Sequence, residues 1–295
     1  MPQPVVIVTG ANGQLGKELM TASAAYSQFQ FVFLSKEDLA IDQPQPVQAY
    51  FKKSMPAFCI NCAAYTTVDK AETEQEAAMR INADATGLLA SVCKSFNTRF
   101  IHISTDYVFD GTATAPYKET DPTNPVNYYG LTKLRGEQMA MANNKESVII
   151  RTSWVYSEYG NNFVKTMIRL MREKKHLNVV NDQLGSPTYA ADLAKALLDI
   201  IAAGNADSRN WIPGVYHYSN DGVISWYDFA VAIKTLTGSN CHINPIPTSA
   251  YPTPAKRPAY SVFDKKKIQS NWHLPINDWR SSLEAMMGRC NPALQ

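Results

Sequence analysis

Thr105, Tyr129 and Lys133 are the residues whose types and spacing could do chemistry. Tyr129 and Lys133 stand four apart in a stretch that turns helical near Tyr128, and that spacing stacks two side chains on one helix face. A free phenol titrates near about pH 10. An adjacent ammonium stabilises the phenolate, lowers that value and makes the tyrosine a proton donor near neutrality. Thr105 lies at the carboxyl end of a predicted strand, residues 99–104 (RFIHIS), where its hydroxyl can hold the carbonyl oxygen under attack. Together the three suit the reduction of a carbonyl. Alone, Tyr-x-x-x-Lys fits an ordinary amphipathic helix better, so the case rests on the elements around it.

The first of these is the amino terminus. Residues 5–9 (VVIVT) form a continuous β-branched run, as in a strand buried on both faces of a parallel sheet. The run leads into Gly10-Ala11-Asn12-Gly13-Gln14-Leu15-Gly16, a G-x-x-G-x-x-G loop that opens a helix. Glycines there permit a tight turn, a close approach of pyrophosphate and close packing of helix on sheet. The helix start adds free N–H groups and a positive dipole end. The loop therefore predicts a dinucleotide site.

Strand and helix patterns then alternate. A second strand, residues 29–34, ends at Ser35 and Lys36, where a carboxylate would select NAD and small polar or basic residues accommodate the phosphate of NADP. The pair points to NADPH, with Asp38 and Asp42 near enough to leave NADH open. A helix is predicted over 46–54, then a strand over 57–64 whose end, Ala63-Ala64-Tyr65-Thr66, lets a cofactor lie flat on the backbone. A long helical region, 69–95, is predicted to break near Asn82. After the Tyr129 helix, residues 147–152 read as a strand that sends Trp154 towards the cleft, where it fits core and ligand contact equally. The fold class is α/β, a Rossmann-type doubly wound parallel sheet with a smaller carboxyl-terminal substrate-binding part.

Residues 1–156, rejoined by about 188–218, make the dinucleotide-binding domain on this reading, and 157–187 with 219–295 the smaller part. Helices are expected over 162–174, 190–203, 226–236 and 278–287, and short strands over 177–180 and 214–218. Ser225 and Asp228 make a capping box. Residues 246–261 carry four prolines and must form an irregular loop. Its Lys256 and Arg257 are either a solvated pair or, as preferred here, a grip for a diphosphate.

Composition narrows the function classes. The 295 residues carry 28 basic and 26 acidic side chains, a net charge of +2, which gives no footprint for nucleic acid. Lys265-Lys266-Lys267 reads as a solvated helix face. No apolar run reaches the length of a membrane span and no signal sequence is evident, so a cytoplasmic protein is expected, without a membrane partner. Five scattered cysteines argue against a disulfide framework. Cys59 and Cys62 form a C-x-x-C inside a predicted buried strand, which points them to opposite faces and offers no zinc site.

The motifs together (the glycine loop, NCAA, STDYVFDG, Tyr129-x-x-x-Lys133, RTSWVY, GNNF, NDQxGxPT and AYPTPAxRP) resemble the extended short-chain dehydrogenase/reductases. The likeness runs in order from Val5 to about Ser261 and is strongest to members that reduce the C4 ketone of dTDP-4-dehydro-L-rhamnose. It implies that NADPH or NADH reduces this nucleotide-sugar substrate. It implies Thr105, Tyr129 and Lys133 as the catalytic trio, with Lys133 also on the nicotinamide ribose. Ala11, Asn12, Gly13, Ala64, Tyr65 and Thr66 would line the cofactor, and Thr105, Asp106 and Trp154 would meet the substrate. Some relatives are homodimers joined through magnesium, for which Glu18 and Asp192 sit at plausible positions. The chain departs from the pattern at Ser35 and Ala40, where some relatives have acids. The rival readings are an epimerase or dehydratase of the same fold and a non-catalytic regulatory subunit.

Overall fold

The computed structural model describes residues 2–290. In chain order its elements are β1 (Val5–Thr9), α1 (Gln14–Ala22), β2 (Gln30–Leu34), α2 (Pro44–Ser54), β3 (Phe58–Asn61), α3 (Gln75–Met79), α4 (Ala85–Ser95), β4 (Arg99–Thr105), α5 (Tyr128–Asn143) and β5 (Val148–Thr152). Then follow β6 (Val155–Tyr156), α6 (Phe163–Glu173), β7 (His176–Val180), β8 (Leu184–Gly185), β9 (Thr188–Tyr189) and α7 (Ala190–Ala206). The last are β10 (Gly214–Tyr218), β11 (Ile224–Ser225), α8 (Trp226–Thr237), β12 (His242–Ile246), α9 (Lys266–Trp272) and α10 (Trp279–Cys290).

Six strands pair in parallel in the order β10-β5-β4-β3-β1-β2. Each is short and apolar because both of its faces are covered. Alternation sorts the side chains: Val6 and Val8 pack with Leu19, Phe58, Ile60 and Leu197 on one face, and Ile7 packs with Phe51, Leu89, Phe100 and Ile149 on the other. Cys59 belongs to the second group and Cys62 packs against the first, as three-residue spacing on a strand requires. The strand order reverses between β1 and β3, which opens a crevice at the carboxyl ends of those strands.

The helical region after β3 breaks where expected. Residues Arg80–Asp84 form a π-turn between α3 and α4. Asn82 in this turn is fully buried and clamps the loop after β3: Oδ1 accepts from the Tyr65 amide at 2.8 Å, and Nδ2 donates to the Tyr65 carbonyl at 3.0 Å and to Thr132 Oγ1 at 3.0 Å.

A second apolar cluster, including Tyr156, Val164, Phe229, Leu283 and Met286, lies among α6, α8 and α10 and the parallel pair β7-β12. Asn162 caps α6, and Ser225 with Asp228 forms the expected capping box on α8. Two local expectations need correction. Residues 246–261 are not wholly irregular, because β12 runs to Ile246 and Thr248–Ala250 forms a 3-10 turn. The Lys265–Lys267 face is not simply solvated: the Lys265 ammonium donates to the Asn220 carbonyl and to Asp221, and Lys267 donates to the Val215 carbonyl from above the Tyr216 ring. Polar strand ends within reach of α9 offered acceptors that the sequence could not display.

Candidate active site

β4 ends at Thr105, whose Oγ1 caps the one-turn 3-10 helix Asp106–Val108 by accepting from the Tyr107 amide at 3.2 Å. The same hydroxyl donates to Asp106 Oδ1 at 2.9 Å. α5 starts close by because Asn127 caps it, accepting from the Gly130 amide at 2.8 Å. The Asn127 amide also donates to the Lys256 carbonyl at 2.8 Å, which ties the helix start to the proline-rich loop. α5 then packs tightly against the π-turn, where a Cβ at Gly136 would strike the Asn82 carbonyl oxygen. These contacts bring Tyr129 beside Tyr107, ring edge to ring face at 5.7 Å.

The electrostatics of Tyr129 correct one expectation. Lys133, only 2% exposed, turns inward and donates to the Ile103 carbonyl at 2.6 Å, with His102 Nε2 at 3.3 Å. Burial pushes the Tyr129 phenol above its usual range, the Asp106 carboxylate pushes it further, and neighbouring Thr105 pulls it back. The lowered phenol inferred from the four-residue spacing is therefore absent from this structure, because the Lys133 amino group is committed to β4. Lys133 itself is held down at about 8 by burial, against the opposing Glu137. Asp106 is pushed up to about 6 by burial, which outweighs the hydrogen bonds that favour its charge. Its Oδ2 is buried and has no hydrogen-bond partner among the described residues.

The crevice beside this trio has the form of a dinucleotide site. Gly10 adopts φ +71°, and a Cβ there would stand 2.6 Å from the Ala63 nitrogen, so only glycine lets β1 and β3 open this way. A Cβ at Gly16 would meet the Gly10 carbonyl oxygen. Among the described residues the amides of Gln14, Leu15 and Gly16 donate to no protein acceptor, which fits a diphosphate at the start of α1. Ala11 and the Leu15 side chain are buried, while Asn12 and Gly13 are exposed and Gln14 Oε1 accepts from Asn162. Ala63, Ala64 and Tyr65 are half-buried and Thr66 is exposed along the other wall. At the end of β2 the Asp38 carboxylate folds back on Ser35, accepting from its amide at 2.9 Å and its hydroxyl at 2.8 Å, and Lys36 is exposed. The residues present fit NAD(P).

The other predicted residues lie as follows. Trp154 has a left-handed backbone (φ +48°), stacks on Trp226 at 3.6 Å and lies against Gly185, where a Cβ would clash with its ring. Arg257 is held by the protein itself: its Nη2 pairs with Asp69 at 2.9 Å and its Nη1 donates to the Ala255 carbonyl at 2.8 Å. Lys256 is exposed. The acids considered for magnesium do not converge. Glu18 accepts from Ser157 and pairs with Arg289, whereas Asp192 accepts from Asn220, Asn277 and Ser282. Among the described residues no three His, Cys, Asp or Glu side chains come together as a metal site.

The sequence assigned no side-chain role at the site to Asn61, Asn82 or His102, which are fully buried around it. One signal was available for His102: a polar ring inside the apolar run RFIHIS must be hydrogen-bonded, since burying it unpaired is costly.

Comparison with known proteins agrees with this architecture. The model of the family described as RmlD substrate binding domain matches residues 4–291. The chain is similar to the dTDP-4-dehydrorhamnose reductase of Burkholderia thailandensis, 39% identical over 285 residues that cover 93% of this chain and 95% of that one. It is 40% identical over 278 residues to the spore coat polysaccharide biosynthesis protein SpsK of Bacillus subtilis, covering 94% and 95% of the two chains. Among solved structures, the dTDP-4-dehydrorhamnose reductase of Bacillus anthracis in complex with NADP superposes with a TM-score of 0.92 at 38% identity, covering 98% of this chain and all of that one. By its glycine loop, its sheet and this match over nearly its whole length, the chain belongs to the RmlD substrate binding domain family.

Proposed function

We infer that this protein is an NAD(P)H-dependent oxidoreductase, a dTDP-4-dehydrorhamnose reductase that converts the C4 ketone of dTDP-4-dehydro-L-rhamnose to the alcohol. One observation carries the reading: Thr105, Tyr129 and Lys133 gather beside the glycine-rich crevice in a chain about 39% identical, across its length, to reductases of that name. NADPH is the preferred cofactor on this reading, supported by exposed Lys36, by Ser35 at the end of β2 and by the NADP held by the Bacillus anthracis relative. Residues 157–187 and 219–295 would supply most of the sugar-nucleotide contacts. A cytoplasmic reaction is in keeping with a nucleotide-sugar substrate, and no helix among the described residues is long and apolar enough to cross a membrane. Magnesium forms no part of the proposal.

The cofactor, when bound, supplies the hydride that reaches the sugar carbon. The protein's part is to hold the oxygen and deliver a proton. Thr105 Oγ1, on turning its one proton away from Asp106, donates to the carbonyl oxygen, and Tyr129, kept protonated by its raised pKa, releases its proton as negative charge develops there. Asp106 Oδ2, buried without a partner, accepts from a sugar hydroxyl. Trp154, fixed by Trp226, walls the sugar. Lys133 stands one helical turn from Tyr129 and, when its charged end turns to the ring, stabilises the phenolate that this proton leaves behind.

The test is oxidation of NADPH and of NADH, followed by absorbance, with enzymatically generated dTDP-4-dehydro-L-rhamnose. Substrate-dependent oxidation, faster with NADPH, is expected. Folded protein that binds cofactor yet oxidises neither would overturn the reading.

A further inference from the structure

Thr9, Asn61, His102 and Lys133 form a buried row behind the active centre, none more than 2% exposed. One fixed donor sets every proton along it. The Ala63 backbone amide donates to Asn61 Oδ1 at 3.2 Å, and Thr9 Oγ1 donates to the same oxygen at 2.7 Å. A backbone N–H cannot reverse its role. The Asn61 side chain is therefore oriented with Nδ2 towards His102 Nδ1, 3.1 Å away. An amide NH2 only donates, so Nδ1 must accept and carry no proton. Burial, with Lys133 second, holds the His102 ring neutral by driving its pKa well down. A neutral imidazole so constrained carries its proton on Nε2, and Nε2 faces Lys133 Nζ at 3.3 Å.

An ammonium has donors only. Opposite an N–H it gains no hydrogen bond, whereas an amine presents a lone pair to Nε2–H and still donates to the Ile103 carbonyl at 2.6 Å. We propose that His102, fixed by Asn61 as the Nε2–H tautomer, is a positioning residue that rests Lys133 as a neutral amine facing the sheet. When Lys133 turns from His102 towards Tyr129 it takes one proton from solvent, and His102 stays neutral throughout.

The surroundings leave room for this. Glu137, the nearest carboxylate on the same helix, is already bound by Arg151 at 2.7 Å and by the Ser104 hydroxyl. Cys62 after β3 is pushed up by burial and so is an uncharged thiol. Asp106 and Tyr107 stand on the turn after β4, and the Glu72 carboxylate accepts from the Tyr128 amide at the start of α5. On α3, the π-turn and α4 the charged side chains are Glu76, Arg80, Asp84 and Lys94, all exposed.

The inference rests on the reading of Lys133 as part of the active centre, but its test uses neither substrate nor cofactor, so it stands or falls apart from turnover. Protein labelled with 15N-histidine contains only five such residues, and His102 is assigned by the signals lost in His102→Gln or, if that variant does not fold, by contacts to Asn61. The expected pattern is a bare, pyridine-like Nδ1 and a protonated, pyrrole-like Nε2. A protonated Nδ1 at neutral pH overturns the proposal. In 13C-lysine-labelled protein, the Lys133 signal should titrate below the value of about 8 that burial sets, so that the amine is the main form at neutral pH. Its midpoint should rise by about one unit or more in His102→Gln, whose amide oxygen can accept from an ammonium, and in Asn61→Asp, whose carboxylate demands Nδ1–H. An unmoved midpoint in a folded variant also overturns it.

Discussion

Replacement of Asp106 by asparagine should make the protein more stable at neutral pH, by an amount that depends on pH in a predictable way. The carboxyl is 3% exposed, and burial lifts it from its ordinary 3.8 to about 6. The folded state thus holds the proton more tightly than the unfolded chain, so stability falls as pH rises from about 3.8 to about 6 and levels off above. At about 1.4 kcal/mol per unit, the two-unit lift costs about 3 kcal/mol at about pH 8 and about 2 kcal/mol at about pH 5. The introduced amide keeps the bond from Thr105 but puts an NH2 group in place of the orphaned Oδ2, at a cost of about 1–3 kcal/mol that does not change with pH. The pH-independent cost cancels in a comparison of two pH values. Urea unfolding followed by tryptophan fluorescence should therefore find Asp106→Asn gaining roughly 1 kcal/mol on the parent between about pH 5 and about pH 8. The variant should also lose about tenfold or more in kcat/KM, as expected for a missing hydrogen bond to a charged group. A stability difference that is flat in pH, or that moves the other way, would refute the claim that a buried, under-bonded carboxylate is kept at this place for function.

Further outcomes follow from the same geometry. Tyr129→Phe should lower kcat by about 10²–10⁴-fold while NADPH affinity, measured by fluorescence titration, is unchanged. Gly10→Ala must hold a Cβ 2.6 Å from the Ala63 nitrogen at φ +71°, so it should weaken cofactor binding, and a dissociation constant equal to the parent's would count against the crevice as the dinucleotide site. Glu137→Leu leaves Arg151, 4% exposed, without its two-pronged partner and should cost about 3–5 kcal/mol in urea unfolding. The double change Glu137→Leu with Arg151→Met should recover most of that loss.

Local pattern carried the frame of the fold. The run VVIVT, the glycine loop and RFIHIS each satisfied a strand or turn requirement within a few residues, and the expected break near Asn82 is a π-turn. The four-residue spacing correctly put Tyr129 and Lys133 on one helix, but spacing along a helix does not say what the far end of a long side chain meets. The Lys133 Nζ reaches the Ile103 carbonyl, and that partner comes from sheet packing. Arg257 illustrates the same limit, because Asp69 lies 188 positions away in sequence. Trp154 was ambiguous for a further reason: its left-handed backbone and its stack on Trp226 depend on space left by Gly185, which no local window contains.

The most direct test of the central claim is the fate of the hydride. NADPH carrying deuterium on the transferred face of nicotinamide C4 is incubated with the protein and dTDP-4-dehydro-L-rhamnose, and the sugar is read by NMR. Deuterium at sugar C4, with one NADPH consumed per alcohol formed, is the predicted result. Deuterium at another carbon, or conversion of the sugar without net loss of NADPH, would contradict a C4 ketone reductase.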